Sequence, residues 1–248
     1  MSAAVDTAFD EQQNASASPP GIEWLYWHRA RNRIIHRKLR PVLVPGEPVL
    51  EIGCASGAVV AYLREQGVPC EGVDLATRGY VVPSARPHVR LGVDAFADAP
   101  ERRAAVGVSL LLDVLEHLPD PGEFLARCDA SFPALHHVLV TVPARTELWS
   151  NYDVYYGHYK RYALDSLSEL RVPASFELVD SGYFFHSLYW AARAAKLFST
   201  ERATVNRAPS HRGVHDVIGR ILDWEERAAR SSWRGSSLFA LYARKRRD

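Results

Sequence analysis

Cysteine is scarce in this sequence, with only three cysteines among 248 residues. The three are Cys54, Cys70 and Cys128, and they lie in apolar or glycine-rich surroundings. An odd number of scattered cysteines does not predict a disulfide framework and fits a reducing compartment. We therefore expect a cytoplasmic protein whose fold depends on its apolar core.

Long apolar runs are also missing. No window approaches the roughly 18 consecutive apolar residues that a membrane-spanning helix needs. Residues 1–20 lack the basic and apolar segments of a signal peptide, and they are small and polar and end in two prolines. We expect these residues to form a disordered tail.

An excess of charge of either sign is absent, since 30 basic residues oppose 29 acidic ones and leave a net charge of +1. This balance provides no long-range field that would attract nucleic acid or an acidic membrane, although it does not exclude local patches of charge. The basic residues between 21 and 40 are interleaved with apolar ones at helical spacing, which is typical of the solvated face of an amphipathic helix. Nucleic acid is therefore a disfavoured partner.

From residue 21 onward, short apolar runs alternate with helical patterns every 20 to 30 residues. This alternation predicts an α/β fold with a doubly wound, mostly parallel sheet, formed by one domain over residues 21–248. Residues 185–235 hold two helical patterns between the last two strands, and we expect this insert to form a lid, a substrate wall or a homodimer face. Within it, Ile221, Leu222 and Trp224 are expected to pack against the first insert helix.

The segment VLEIGCASG, at residues 49–57, follows the first predicted strand and leads into a helix. It places an acid, Glu51, before three small residues, Gly53, Ala55 and Gly57. Small residues at a strand-to-helix turn let the backbone approach a ligand closely. Asp74 ends the next predicted strand, where doubly wound folds hold ribose hydroxyls, and Asp94 ends the third strand in the same register.

A nicotinamide-nucleotide oxidoreductase is the alternative that these features leave open. Its phosphate-binding loop has the pattern G-x-G-x-x-G, whereas the sequence here is G-C-A-S-G-A over residues 53–58. The glycine spacing therefore disfavours hydride transfer. A binding subunit without catalytic activity is a second alternative, although the retained Glu51 and Asp74 argue against it.

The motifs resemble those of class I S-adenosylmethionine-dependent methyltransferases, in particular the small-molecule branch that includes the ubiquinone-type O-methyltransferases. The resemblance lies in EIGCASG at 51–57, in Asp94-Ala95, in DVLEHLPDP at 113–121 and in GHYKRY at 157–162. It covers most of residues 21–248. Ala55 departs from the pattern, because the family usually has glycine there.

This resemblance implies a seven-stranded sheet with the last strand antiparallel, and S-adenosylmethionine as the cofactor. Residues 21–40 would form a flap over it, in which Arg31 pairs with the cofactor carboxylate. The other cofactor-binding residues it implies are Glu51, Gly53, Ala55 and Gly57 at the methionine portion, Asp74 at the ribose, Asp94 and Ala95 at the adenine, and Asp113 beside the methionine end.

The expected reaction is methyl transfer to a small-molecule acceptor, in particular a hydroxyl oxygen, although the motifs do not distinguish oxygen from nitrogen or carbon. A hydroxyl nucleophile needs a base, and His117 follows the fourth strand at the reactive end of the cofactor. His158 and Tyr159 would supply hydrogen bonds to the acceptor. For each of these residues a purely structural role in a folded loop is the alternative. A metal site at Glu116 and His117 has no supporting ligand spacing, so we expect no metal.

Overall fold

One seven-stranded sheet forms the centre of the fold in this computed structural model, which describes residues 10–198, 201, 204–205 and 207–245. All seven predicted strands are present. They are β1 (Val49–Ile52), β2 (Cys70–Asp74), β3 (Val89–Leu91), β4 (Val108–Leu112), β5 (His137–Pro143), β6 (Phe176–Phe184) and β7 (Ser237–Arg244).

The strands lie in the order β3-β2-β1-β4-β5-β7-β6. Strands β1 to β5 pair in parallel, whereas β7 pairs antiparallel with both β5 and β6. This arrangement confirms the predicted fold class, including the antiparallel last strand. The strand order reverses between β1 and β4, and ligands of doubly wound folds bind at the carboxyl ends of the strands beside such a reversal.

Helices cover the sheet and connect its strands. The α-helices are α1 (Glu11–Ala17), α2 (Tyr26–Leu39), α3 (Ala58–Glu65), α4 (Pro100–Ala105), α5 (Pro121–Ser131), α6 (Asn151–Tyr155), α7 (His186–Phe198) and α8 (Arg212–Ala228). Short 3-10 turns span Ile22–Trp24, Pro83–His88, Ala95–Ala97, Leu115–His117, Thr146–Leu148 and Leu164–Leu170. Among the described residues, no helix combines the length and apolar character needed to cross a membrane.

The core has two halves, one on each face of the sheet. Because successive strand side chains point to opposite faces, Leu110 and Leu139 pack toward α2 and α3, whereas Leu111 and Val140 pack toward α5. Strand β4 is buried along its whole length, which explains why it appears in the sequence as a continuous apolar run. Burial on both faces fixes the strand ends that carry the acidic residues.

The structure differs from the expected disordered tail over residues 11–17, which form α1. Residues 1–9 of that expectation lie outside the described residues. Asp10 caps the helix, since its Oδ1 accepts a hydrogen bond from the Gln13 N–H at 2.8 Å. Glu11 accepts from the backbone N–H and the hydroxyl of Thr77 at 3.1 and 2.6 Å. These polar contacts explain how a segment with little apolar surface is ordered.

The two predicted insert helices are present as α7 and α8, but the packing of α8 differs from the expectation. Leu222 is buried, whereas Ile221 and Trp224 are 58% and 67% exposed. The helix turns its acidic side toward α2, where Asp216 accepts hydrogen bonds from Arg29 and Arg33. Charge pairing with α2 therefore orients α8, and its apolar residues at these two positions face outward.

Candidate cofactor and acceptor site

A cavity of about 660 Å³ opens at the carboxyl ends of β1, β2 and β4. Its walls come from the loops after these strands, from the start of α2, and from α6 and the segment that follows it. Helix α1 also contributes, through Gln13 and Ala17, as does its cap Asp10. The cavity therefore lies at the strand-order reversal, where the sequence motifs predict a ligand.

The loop after β1 makes a tight turn at Gly53 and Gly57. Both residues have positive φ angles, 78° and 67°, which L-residues rarely adopt. A Cβ atom would lie 2.8 Å from Val114 at Gly53 and 2.7 Å from Val89 at Gly57. Gly53 lines the cavity, but Gly57 does not. The structure therefore gives Gly57, predicted as a cofactor-binding residue, a role in closing the turn.

Ala55 also has a positive φ angle, 45°. A non-glycine residue in this region carries a steric cost of about 1–2 kcal/mol. Its N–H donates to Oδ2 of Asp74 at 2.7 Å, and this bond holds the strained turn against β2. The departure from the family glycine is thus accommodated, and Ala55 lines the cavity as predicted.

Asp74 ends β2 and lies buried at the cavity wall. Besides the bond from Ala55, its Oδ1 accepts from the Ala76 N–H at 2.8 Å. Burial raises the pKa of this carboxyl, and the two N–H donors partly offset that rise. Each carboxylate oxygen can accept more than one hydrogen bond, so the group retains capacity for ligand hydroxyls.

Glu51 is the acid that β1 contributes to the cavity wall, with 3% of its surface exposed. Burial raises its pKa to about 8, although the nearby Arg31 acts in the opposite direction. Its Oε2 has no hydrogen-bond partner among the described residues. A buried carboxylate oxygen without a partner beside a cavity is suited to a cationic or hydrogen-bond-donating ligand.

Arg31 of α2 and Asp113, directly after β4, contact each other at the cavity. The guanidinium Nη1 donates to Oδ2 of Asp113, and the guanidinium carbon lies 4.5 Å from the ring centre of Trp27. Asp113 has a φ angle of 57°, and its Oδ1 accepts from the Thr141 hydroxyl at 3.2 Å. The two predicted cofactor residues thus form one charged pair. Nε of Arg31 has no partner among the described residues.

Asp94 and Ala95 line the cavity beside β3. The strand ends at Leu91, so Asp94 lies in the following loop and not at the strand end that the sequence predicts. Its Oδ1 accepts from the Phe96 N–H at 2.9 Å and caps the short turn there. Oδ2 is 3.9 Å from Nη2 of Arg127.

His117 and His158 lie side by side where the cavity meets α6, with ring centres 4.8 Å apart. Nδ1 of His158 is 2.9 Å from Oδ1 of the fully buried Asp153. Arg161 donates to the same carboxylate from Nε and Nη2, at 2.8 and 3.0 Å. Although burial opposes it, hydrogen bonding by His158 and Arg161 lowers the pKa of Asp153. A permanently ionised carboxylate therefore orients the His158 ring.

The electrostatic surroundings of His117 are different. Burial, with a further contribution from His158, lowers the pKa of His117 to about 4. Its ring is therefore neutral near pH 7, and no carboxylate is hydrogen-bonded to it among the described residues. The structure brings His117 to the cavity as predicted, but it gives the carboxylate partner to His158.

Tyr159, like Gly57, is a predicted site residue that lies outside the cavity lining. Its side chain is 53% exposed and does not line the cavity, whereas its N–H donates to the Glu116 carbonyl at 2.7 Å. Sequence reasoning instead missed Asp153 and Arg161. Both lie in the tyrosine-rich segment YDVYYGHYKRY at residues 152–162. An acid and a base among these tyrosines were the sequence feature that could have indicated the pair.

Three potential metal ligands meet in the same region. Glu116, His117 and His158 each offer one ligand atom, and these atoms lie within 4.8 Å of one another. The third member, His158, adds to the Glu116 and His117 pair that the sequence analysis considered. Burial and the nearby Asp113 raise the pKa of Glu116 well above its usual range, so the cluster carries little negative charge.

The residues of the cavity fit S-adenosylmethionine, whose sulfonium and ammonium groups are cationic and whose carboxylate is anionic. The wall is acidic at Glu51, Asp74 and Asp113, and Arg31 is the guanidinium beside them. Unpaired buried atoms remain on Glu51 and Arg31. Complementary charges of this kind would satisfy both groups.

Comparison with known proteins agrees with this fit. Residues 26–181 match the family model described as "Methyltransferase domain". A protein of Mycolicibacterium smegmatis named "probable S-adenosylmethionine-dependent methyltransferase" is 27% identical over 211 residues, which cover 84% of this chain and 78% of the relative. A ubiquinone biosynthesis O-methyltransferase of Burkholderia thailandensis is 31% identical over 91 residues, covering 34% of this chain and 39% of that protein.

Solved structures show the same fold. Geranyl diphosphate C-methyltransferase of Streptomyces coelicolor is 15% identical with a TM-score of 0.56, covering 88% of this chain and 76% of that one. Phosphoethanolamine N-methyltransferase 2 of Haemonchus contortus is 16% identical with a TM-score of 0.54, covering 88% and 52%. At these identities the likeness concerns the fold alone. Together with the family match, these findings place the chain in the family of S-adenosylmethionine-dependent methyltransferases.

Proposed function

We propose that the enzyme transfers a methyl group to a hydroxyl oxygen of a small molecule, and that His158 accepts the hydroxyl proton. The observation that carries this proposal is the His158–Asp153 pair in the cavity wall, with 2.9 Å between Nδ1 and Oδ1. A hydroxyl oxygen needs a base to take its proton at neutral pH. Many carbon or amine nucleophiles can instead lose their proton to the solvent before they react.

The cofactor would lie along the carboxyl ends of β1, β2 and β4. Arg31 would bind its carboxylate, Glu51 and Asp113 its cationic groups, and Asp74 its ribose hydroxyls. Asp94 and Ala95 would contact the adenine. S-adenosylmethionine, when bound, supplies an electrophilic methyl group on a positively charged sulfur. Alignment of the acceptor with that methyl group contributes much of the rate, because it replaces a bimolecular encounter.

The proposed proton transfer depends on the residues that hydrogen-bond to His158. Because Nδ1–H donates to Asp153, Nε2 is the ring nitrogen left to accept a proton. When Nε2 takes the hydroxyl proton, the Asp153 carboxylate stabilises the imidazolium, as in other histidine–carboxylate pairs. Arg161 fixes the carboxylate. The structure therefore supports His158 rather than His117 as the base, and His117 would position the acceptor as a neutral ring.

The test uses S-adenosylmethionine with a deuterated methyl group and a panel of phenols, aliphatic alcohols, amines and carbon nucleophiles. Mass spectrometry finds the labelled products, and NMR shows which atom carries the methyl group. The proposal predicts a methyl ether whose formation His158→Gln slows strongly. His211→Gln, a substitution at an exposed histidine outside the cavity, is the matched control. Labelling on nitrogen or carbon would contradict the proposal.

A further inference from the structure

Helix α8 carries an exposed apolar stripe along its outer face. Val214, Val217, Ile218 and Ile221 follow the spacing i, i+3, i+4, i+7, and Trp224 continues the same face. All five side chains are exposed. This spacing normally marks the face of a helix that packs on a core. An apolar surface of this kind on the outside of a protein is typical of an interaction site.

The orientation of α8 is fixed by its opposite face. Asp216 pairs with Arg29 and Arg33 of α2 at 2.9 and 2.6 Å, and Asp223 pairs with Arg37 at 2.7 Å. Several of these side chains are largely buried, so rotating the helix to bury the stripe would separate buried charges. The stripe therefore faces outward because the ion pairs require it.

The charges that α8 presents on its outer side are positive. All four of its acidic residues turn inward: three pair with basic side chains of α2, and Glu225 accepts from the Ser187 N–H at 2.6 Å. Arg220 and Arg227 flank the stripe with side chains that are 72% and 58% exposed, and they pair within the helix with Asp216 and Asp223 at 2.9 and 2.6 Å. Arg212 is exposed at the start of the helix.

Helix α7 also exposes apolar side chains. It contacts α8, and it exposes Trp190, Leu197 and Phe198. Tryptophan is favoured where an apolar medium meets water, because its large ring is apolar while its N–H still needs a polar partner. The insert therefore exposes aromatic and aliphatic side chains together with arginines.

We propose that α8 binds to the surface of an anionic lipid bilayer, with its apolar stripe in the headgroup region and its arginines against lipid phosphates. An apolar face flanked by basic residues is characteristic of helices that lie in the membrane interface. A second copy of this chain fits less well, because a twofold contact through the stripe would bring the same arginines close together. This binding goes beyond the proposed reaction and does not depend on it.

The experiment is sedimentation of the whole chain with vesicles of phosphatidylcholine alone and of phosphatidylcholine mixed with phosphatidylglycerol. We expect binding to the mixed vesicles, weakened by salt because the arginine contribution is screened. Ile221→Asp combined with Trp224→Asp should lower the fraction of protein bound to vesicles about tenfold or more, since it places charge in the face that would enter the headgroup region. Arg220→Gln combined with Arg227→Gln should weaken binding to the mixed vesicles and leave binding to vesicles of phosphatidylcholine alone unchanged.

The matched control is Val44→Asp combined with Leu178→Asp, which adds the same charge at apolar residues that are 53% and 46% exposed elsewhere. This variant should bind as the wild type does, and circular dichroism should be unchanged for every variant. Absence of wild-type binding to the mixed vesicles would overturn the proposal, as would equal loss in the control. Light scattering that shows a dimer disrupted by the stripe variant, without vesicle binding, would assign the surface to a second copy instead.

Discussion

The guanidinium of Arg31 donates directly to the carboxylate of Asp113 across the edge of the cavity. The contact joins α2, which precedes the sheet in sequence, to the carboxyl end of β4. It explains how a helix rich in basic residues is held beside an acidic wall. A cofactor with both a carboxylate and an ammonium group offers a new partner to each member of this pair.

Protonation of Glu51 should be linked to cofactor binding. Its pKa of about 8 means that the carboxyl is mainly protonated at pH 7, and a cation placed nearby favours the ionised form. The pKa then falls, so binding of S-adenosylmethionine should release up to about one proton near pH 7. Calorimetry in two buffers of different ionisation enthalpy measures this number.

Two comparisons make the proton count specific to Glu51. S-adenosylhomocysteine has a neutral sulfur and should release fewer protons, and Glu51→Gln should release almost none with either ligand. An unchanged count in Glu51→Gln would show that another group titrates.

The strained turn at Ala55 should be open to stabilisation. Glycine tolerates its positive φ angle without the Cβ clash, so we expect Ala55→Gly to raise the free energy of unfolding by about 1 kcal/mol. Urea denaturation measures the change. Ala58→Gly, at the start of α3, should act in the opposite direction, because glycine lowers helix stability. Equal destabilisation by both substitutions would contradict the strain at Ala55.

The two histidines should differ in their effect on the chemical step. His158→Gln should lower the single-turnover rate by about 10²- to 10⁴-fold, the usual contribution of a general base, and His117→Gln should lower it less. Affinity for S-adenosylhomocysteine should stay near the wild-type value in both. The rate of His158→Gln should also recover at high pH, where the acceptor hydroxyl ionises without help. A larger loss in His117→Gln, without recovery in His158→Gln, would return the base role to His117.

A metal chelator should leave turnover unchanged. The ligand atoms of Glu116, His117 and His158 lie close together, but burial and Asp113 keep the pKa of Glu116 high. These three side chains would therefore offer a metal cation little negative charge to offset the loss of its hydration. Turnover before and after dialysis against the chelator measures the effect. Loss of activity that a divalent cation restores would make this cluster a metal centre.

The sequence predicted the features that depend on local pattern. Glu51 and Asp74 were located because an acid near the end of a buried strand is visible in the sequence, and parallel strands bring such ends together. Asp113 was located through the family resemblance. The turn at Gly53 was found for the same reason, since small residues mark a close backbone approach.

Features that depend on distant pairing were missed. The periodicity of α8 shows an apolar face, but only its ion pairs with α2, nearly 190 residues earlier, determine which face is buried. Leu222 and Trp224 were both expected to pack against the first insert helix, but only Leu222 is buried. In the same way, the partner of His158 became visible only when α6 placed Asp153 within hydrogen-bond distance of its Nδ1.

The central claim is that the acidic cavity binds S-adenosylmethionine through the strand-end carboxylates, and calorimetry with S-adenosylhomocysteine tests it most directly. We expect micromolar binding at one site, and Asp74→Asn should weaken it roughly tenfold to hundredfold, the range for losing a charged hydrogen bond. The control is Glu71→Gln, because Glu71 lies on the same strand with a side chain that is half exposed and outside the cavity. This variant should bind the ligand as the wild type does. Absence of binding, or equal affinity in Asp74→Asn and the wild type, would contradict this account.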